Sequence, residues 1–175
     1  DSQVFLEIKT KDQEGVGRKF RLLSTPISIL NFMTKGHLDA SITDTVVIEK
    51  VKKLHQDYKQ AIQPRMYIYY DRYSLKEKNT SRATTITKFV SQLIIYRDEK
   101  VNFFSGNHGH ALLDDNTVIM EIKAPGNKPQ WLQDILDKYC LMEHKFSKYS
   151  CAYHKSQGLP YAPRPSIESA GTAYA

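Results

Sequence analysis

Glu-Ile-Lys occurs twice in this chain, in VFLEIKTK at 4–11 and in VIMEIKAP at 118–125. Side chains alternate along a strand, so Glu7, Lys9 and Lys11 fall on one face, and Glu121 and Lys123 share another. Further cations stand in strand-like surroundings: Lys19 and Arg21 in RKFRLL, Arg72 in YYDRYS, Arg82 in SRATTI. A strand face that mixes this many cations with carboxylates does not suit a hydrophobic core, because an unpaired buried charge is costly. The charges need water or a polyanion. A solvent-exposed sheet face and a closed barrel with a wet, cationic interior both satisfy that need, and on pattern alone the exposed face comes first.

The bulk composition sets the frame for these residues. With 175 residues, 41 % hydrophobic and 25 % charged, the chain reads as one soluble globular domain. Lys and Arg number 25 against 19 Asp and Glu, a formal net charge of +6, which favours a polyanionic partner: a nucleic acid, a phosphate chain or an acidic membrane surface. Cys140 and Cys151 have neither CxxC spacing nor a neighbouring His cluster and read as reduced structural thiols. The His108–His110 pair in SGNHGH reads as incidental. No apolar run approaches the roughly 20 residues needed to cross a bilayer, and no signal peptide is present. The chain opens in a strand pattern without an initiator Met and reads as a piece of a longer one.

The elements that must carry these residues follow an α+β order. VFLEIKTK and RKFRLL, joined by the Gly-containing DQEGVG, read as a hairpin. STPISILNFM starts a short helix with a Ser/Thr cap and a first-turn Pro, closed by Gly36 and His37. A longer helix places Val47, Val51, Leu54 and Tyr58 on one face, with Pro64 ending it. PRMYIYYDRYSL, RATTITKF and SQLIIYRD read as three strands. The segment NFFSGNHGHALLDDN is a loop with at most a short extended piece. VIMEIKAP is a further strand, and an amphipathic helix follows from about Trp131 to Leu141. EHKFSKYSCAYHK reads as a last short helix. Residues 157–175, rich in Pro, Ser, Gly and Ala, read as a loose or coil-docked tail after a domain spanning 1–156. Trp131 is expected to anchor its helix, and Tyr67, Tyr69 and Tyr73 to pack beneath helices.

Taken in order, LEIKTK, GVGRKFR, YIYYDRYS, RATTI, VIMEIK, PQWLQDIL and HKFSKYS resemble the VTC domain, the catalytic module of polyphosphate polymerases in the triphosphate tunnel group. The resemblance extends from about Val4 to Tyr153. It implies an antiparallel β-barrel tunnel with flanking helices, in which the terminal phosphoryl group of ATP passes to a growing inorganic polyphosphate chain.

On that resemblance, Lys9, Lys19, Arg21, Arg72, Arg82 and Lys123 bind phosphate oxygens from the strands, and Lys145 and Lys148 do so from the final helical segment. Glu121 holds a divalent ion, Mn2+ or Mg2+, and Glu7 either joins it or pairs with neighbouring cations. The implied partners are ATP and polyphosphate, with no nucleic acid, since no stacking platform with base-reading side chains appears. The implied location is the cytoplasm or the cytoplasmic face of a membrane, with a membrane-anchored partner or a missing N-terminal segment. Two departures stand out: strands that relatives carry upstream are absent, and RATTITKF lacks an acidic residue after its Arg-hydrophobic-Thr core. A triphosphatase of the same group and a non-catalytic sensor of polyphosphate or inositol pyrophosphates are the alternative functions.

Overall fold

Strict alternation over residues 4–11 and 17–24 produces a hairpin. Strand β1 (Val4–Lys11) pairs antiparallel with β2 (Gly17–Ser24), in a register that sets Leu6 opposite Leu22, Glu7 opposite Arg21, Ile8 opposite Phe20 and Lys9 opposite Lys19. The computed structural model describes residues 3–11, 17–37, 39–40, 43–58, 62–74, 88–122 and 127–165. It divides into two compact units, Asp1–Pro64 and Arg65–Ala175.

In the first unit two helices cover one face of the hairpin. Helix α1 (Pro26–Lys35) begins where Thr25 Oγ1 accepts from the Ser28 amide, and Pro26 supplies a helical φ in the first turn. It ends at Gly36, whose φ of +67° is left-handed and whose amide donates to Phe32 O at 2.8 Å. Helix α2 (Thr45–Asp57) is capped by Asp44, which accepts from the Val47 amide at 3.1 Å. Ile8 and Leu22 from the strands, Phe32 from α1 and Val47 and Val51 from α2 form the core, with Leu6, Phe20, Met33 and Leu54 packed around them. Each such buried side chain contributes about 1.5–3 kcal/mol of transfer free energy.

Two expectations for α2 need correction. The helix stops at Asp57, well before Pro64, and Tyr58 is its C-cap in an extended conformation, 58 % exposed.

The second unit is built on β3 (Tyr67–Ser74) and β4 (Lys88–Arg97), which pair antiparallel. The short strands β5 (His110–Ala111) and β6 (Ile119–Glu121) pair with β4 at different positions. The ladder between β3 and β4 shifts register after Tyr70↔Ile94 and resumes at Arg72↔Val90, so β4 carries the extra residues. Helix α3 (Gln130–Lys138) buries Leu132 and Leu136, and a Leu141 amide bond to Leu136 O at 2.8 Å with Cys140 at φ 51° closes it. Next come β7 (His144–Lys145), α4 (Lys148–Ser156) and β8 (Arg164–Pro165), the last pairing antiparallel with β7. The core gathers Ile94, Tyr96 and Leu112 with Cys151 and Ala152 of α4, flanked by Ile68, Tyr70, Ile119, Phe146 and Tyr161.

The α+β class and the antiparallel pairing agree with the sequence reading, but among the described residues no sheet closes into a barrel. Closure needs every strand paired on both edges, and the described partners of β1 and β2 are only each other. KF and SQLIIYR belong to one continuous strand, not two, with residues 81–87 outside the described residues. The expected helix over EHKFSKYSCAYHK is split: Ser147 caps α4, its Oγ accepting from the Ser150 amide at 3.2 Å, and His144–Lys145 before it is strand. Trp131 is 43 % exposed and Tyr73 69 % exposed, so neither is a packing anchor. Part of the expected tail is folded, since Arg164 and Pro165 form β8.

Candidate functional site

The hairpin of the first unit has two unlike faces. Leu6, Ile8, Phe20 and Leu22 turn toward α1 and α2. By alternation the other face carries Phe5, Glu7, Lys9, Leu23, Arg21 and Lys19, cross-strand neighbours in the ladder. Lys9 and Lys19 stand directly opposite, a like-charge pair that repels unless an anion lies near. Glu7 supplies that anion. Its Oε1 lies 2.9 Å from Lys19 Nζ and accepts from Arg21 through Nε at 2.8 Å and Nη2 at 2.5 Å, while Oε2 is 3.9 Å from Lys9 Nζ. Arg21 is also laid over the Phe5 ring, its Cζ 4.5 Å from the centroid. The Lys19 ammonium first, joined by Arg21, holds the Glu7 carboxyl below its ordinary value against the opposing effect of burial.

Three cations therefore surround one carboxylate on an open surface. Lys9, Lys19 and Arg21 are about half exposed or more, against 26 % for Glu7. The group keeps a local excess of positive charge and several N–H donors that can turn to a second anion.

In the second unit, Arg72 is exposed on β3 opposite Val90. Glu121 closes β6 opposite Lys88, an opposite-charge cross-strand position. Val90 is the shared ladder partner of Arg72 and Ile119, and Lys88 that of Ser74 and Glu121. Arg72 and Glu121 thus stand two rows apart in the same sheet, with the Tyr73, Phe89 and Met120 row between them. Lys148, the first residue of α4, sits with Nζ 4.8 Å from the Tyr70 ring centroid, two residues along β3 from Arg72. Lys145 is exposed on β7 and faces Arg164 across the ladder. It does not share the final helix with Lys148, as the sequence reading has it, because α4 starts only after the Ser147 cap. Arg82 and Lys123 lie outside the described residues.

The sequence reading missed two arginines. Arg97 is 2 % exposed and donates to the carbonyls of Gly106 at 2.8 Å, His108 at 3.0 Å, Asn102 at 3.3 Å and Lys100 at 3.4 Å, with its guanidinium 3.7 Å from the Tyr67 ring centroid. It ties down the loop between β4 and β5. No side-chain pattern announces it, because its acceptors are backbone carbonyls. Arg164 lies in YAPRP, whose Pro content hides a two-residue strand.

Among the described residues no group of three or more His, Cys, Asp or Glu side chains gathers to form a metal cage. Mg2+ and similar ions are commonly held by one or two carboxylates together with substrate phosphates and water. Glu7 suits that arrangement poorly, because its Oε1 is already shared by Lys19 and Arg21, while Glu121 is a half-buried carboxylate at the end of β6. Among the described residues no helix is long and apolar enough to cross a membrane.

Comparison with known proteins agrees with the motif order. The family model described as the VTC domain matches residues 1–156. No curated protein and no solved structure matches the chain.

Proposed function

The chain belongs to the VTC domain family, a polyphosphate-related family, and from that premise we propose that it is a polyphosphate polymerase domain. A terminal oxygen of the phosphate chain attacks the γ-phosphorus of ATP, the bond to the β,γ-bridging oxygen breaks, and ADP leaves. The observation that carries this reading is the arrangement of Lys9, Lys19 and Arg21 around Glu7 on the hairpin face turned away from the helices. Phosphoryl transfer asks the protein mainly to offset charge on the phosphoryl oxygens and to hold donor and acceptor in line. Lysines and arginines projecting from strands do both, because the ladder fixes the spacing of their stems.

In this reading Lys9, Lys19 and Arg21 take phosphate oxygens, and Glu7 is the internal anion that occupies Lys19 and Arg21 until phosphate replaces it. Arg72, Arg82, Lys123, Lys145 and Lys148 bind phosphates along the chain. Glu121 would hold a divalent ion, Mn2+ or Mg2+, and such an ion supplies charge neutralisation across bridging phosphate oxygens when bound. The domain works in the cytoplasm or at the cytoplasmic face of a membrane, with ATP as donor and a membrane-anchored partner.

The experiment is to follow ADP release and acid-stable chain growth together, with ATP and Mn2+, in the wild type and in Lys19→Ala and Arg72→Ala. Chain growth that falls with both variants supports the polymerase. Phosphate release without chains makes the domain a triphosphatase, and tight polyphosphate binding without turnover makes it a sensor.

A further inference from the structure

Residues after α4 fold back through a series of specific contacts. Gly158, at φ +67°, turns the chain, and the Leu159 amide donates to His154 O at 2.8 Å to close the helix. His154 Nδ1 donates to Pro160 O at 2.8 Å. Tyr161 packs edge-on against both Phe146 and His154, and its hydroxyl accepts from the Ser147 amide at 3.0 Å. These contacts bring β8 alongside β7 and set Arg164 directly opposite Lys145.

Opposite residues of an antiparallel pair have Cα atoms about 4.5–5.5 Å apart and side chains on one face. Two cations so placed repel each other in isolation. Among the described residues neither has a carboxylate partner, and the nearby Glu143 directs Oε2 to Lys128 at 3.1 Å. Both Lys145 and Arg164 are exposed. The spacing suits one tetrahedral phosphate, with the ammonium on one oxygen and the guanidinium on another. Arg164 also lies beyond residues 1–156, the part the family model matches.

We propose that Arg164 and Lys145 form a two-cation clamp for a single phosphate group of a polyphosphate chain, with the Tyr161 contacts as the brace that positions Arg164. The clamp rests on the polyphosphate reading above and adds to it a binding residue contributed by the segment after α4.

The test is calorimetric titration of the full chain with inorganic tripolyphosphate, comparing the wild type with Arg164→Ala, Arg164→Lys, Lys145→Ala and Tyr161→Phe. Arg164→Ala is expected to weaken binding about tenfold, as is Lys145→Ala. Arg164→Lys recovers most of the loss. Tyr161→Phe, which removes no cation but releases the brace, costs a few-fold. Melting temperature checks folding, and an exposed Arg164 predicts no change in it for Arg164→Ala. Binding by Arg164→Ala within twofold of the wild type, with Lys145→Ala impaired, overturns the clamp and leaves the polyphosphate reading intact. Absence of tripolyphosphate binding in the wild type overturns both.

Discussion

Glu7 and Arg21 are cross-strand partners, and both Nε and Nη2 of the arginine converge on the single oxygen Oε1, at 2.8 and 2.5 Å, the same oxygen that Lys19 reaches at 2.9 Å. One carboxylate oxygen is shared among three donors, leaving Oε2 to the more distant Lys9 at 3.9 Å. Glu7→Gln removes the competing charge but keeps the shape. Tripolyphosphate should bind this variant about threefold to tenfold more tightly, because Lys19 and Arg21 no longer have to be released first. Weaker binding by Glu7→Gln would mean that the carboxylate mainly holds the two cations in position, and the exchange role would be lost.

The same carboxylate gives a pH dependence. Its folded pKa is depressed, chiefly by Lys19 and then by Arg21, so its contribution to stability is present above the ordinary value of 4.5 and fades as pH falls through the lower folded value. Its cationic partners are about half exposed or more, and solvent screening holds the contribution to about 0–1 kcal/mol. The melting temperature of the wild type should exceed that of Glu7→Gln slightly at pH 7, and the difference should shrink as pH falls below 4.5. A difference that grows on acidification contradicts the assignment.

Arg97 separates a structural arginine from the binding ones. Its guanidinium is buried and meets four carbonyls and the Tyr67 ring. Replacement by Ala leaves those carbonyls without their donor and should cost about 2–4 kcal/mol in urea unfolding. Tripolyphosphate affinity measured well below the transition should stay near the wild-type value. A stability close to wild type would show that water replaces the guanidinium without penalty.

How far these features were legible in the sequence depends on their range. The hairpin face was readable because alternation alone puts Glu7 and Lys9 on one side and Ile8 on the other, and the partner strand repeats the period in Lys19 and Arg21. The caps Thr25 and Gly36 were readable because they act within one turn. Lys145 and Lys148 were misread as one helix because the apolar and aromatic residues of HKFSKYS suit either period, and only the Ser147 side chain, bonded to the Ser150 amide, decides where α4 starts. Tyr58 was misread because helical spacing says nothing about where the core ends. Arg97 and Arg164 were invisible for a related reason: their partners are backbone atoms and ladder positions set by tertiary folding, which leave no pattern in the types of neighbouring residues.

Glu121 provides the sharpest division between binding and turnover. It closes β6 opposite Lys88, two rows beyond the row that Arg72 and Ile119 share through Val90. A carboxylate there reduces the positive charge available to phosphate, which a binding surface alone would not favour. In the proposed function it is an oxygen ligand for a divalent cation that arrives with the nucleotide, since a hard divalent ion prefers carboxylate oxygen. Glu121→Gln should therefore lower Mn2+-dependent chain growth by on the order of 100-fold. Tripolyphosphate binding measured without metal should be unchanged or tighter, because a negative charge has been removed from among cations. Full turnover by Glu121→Gln at the same Mn2+ concentration would exclude it as the ligand, and a parallel loss of metal-free binding would mark it instead as an organiser of the neighbouring cations.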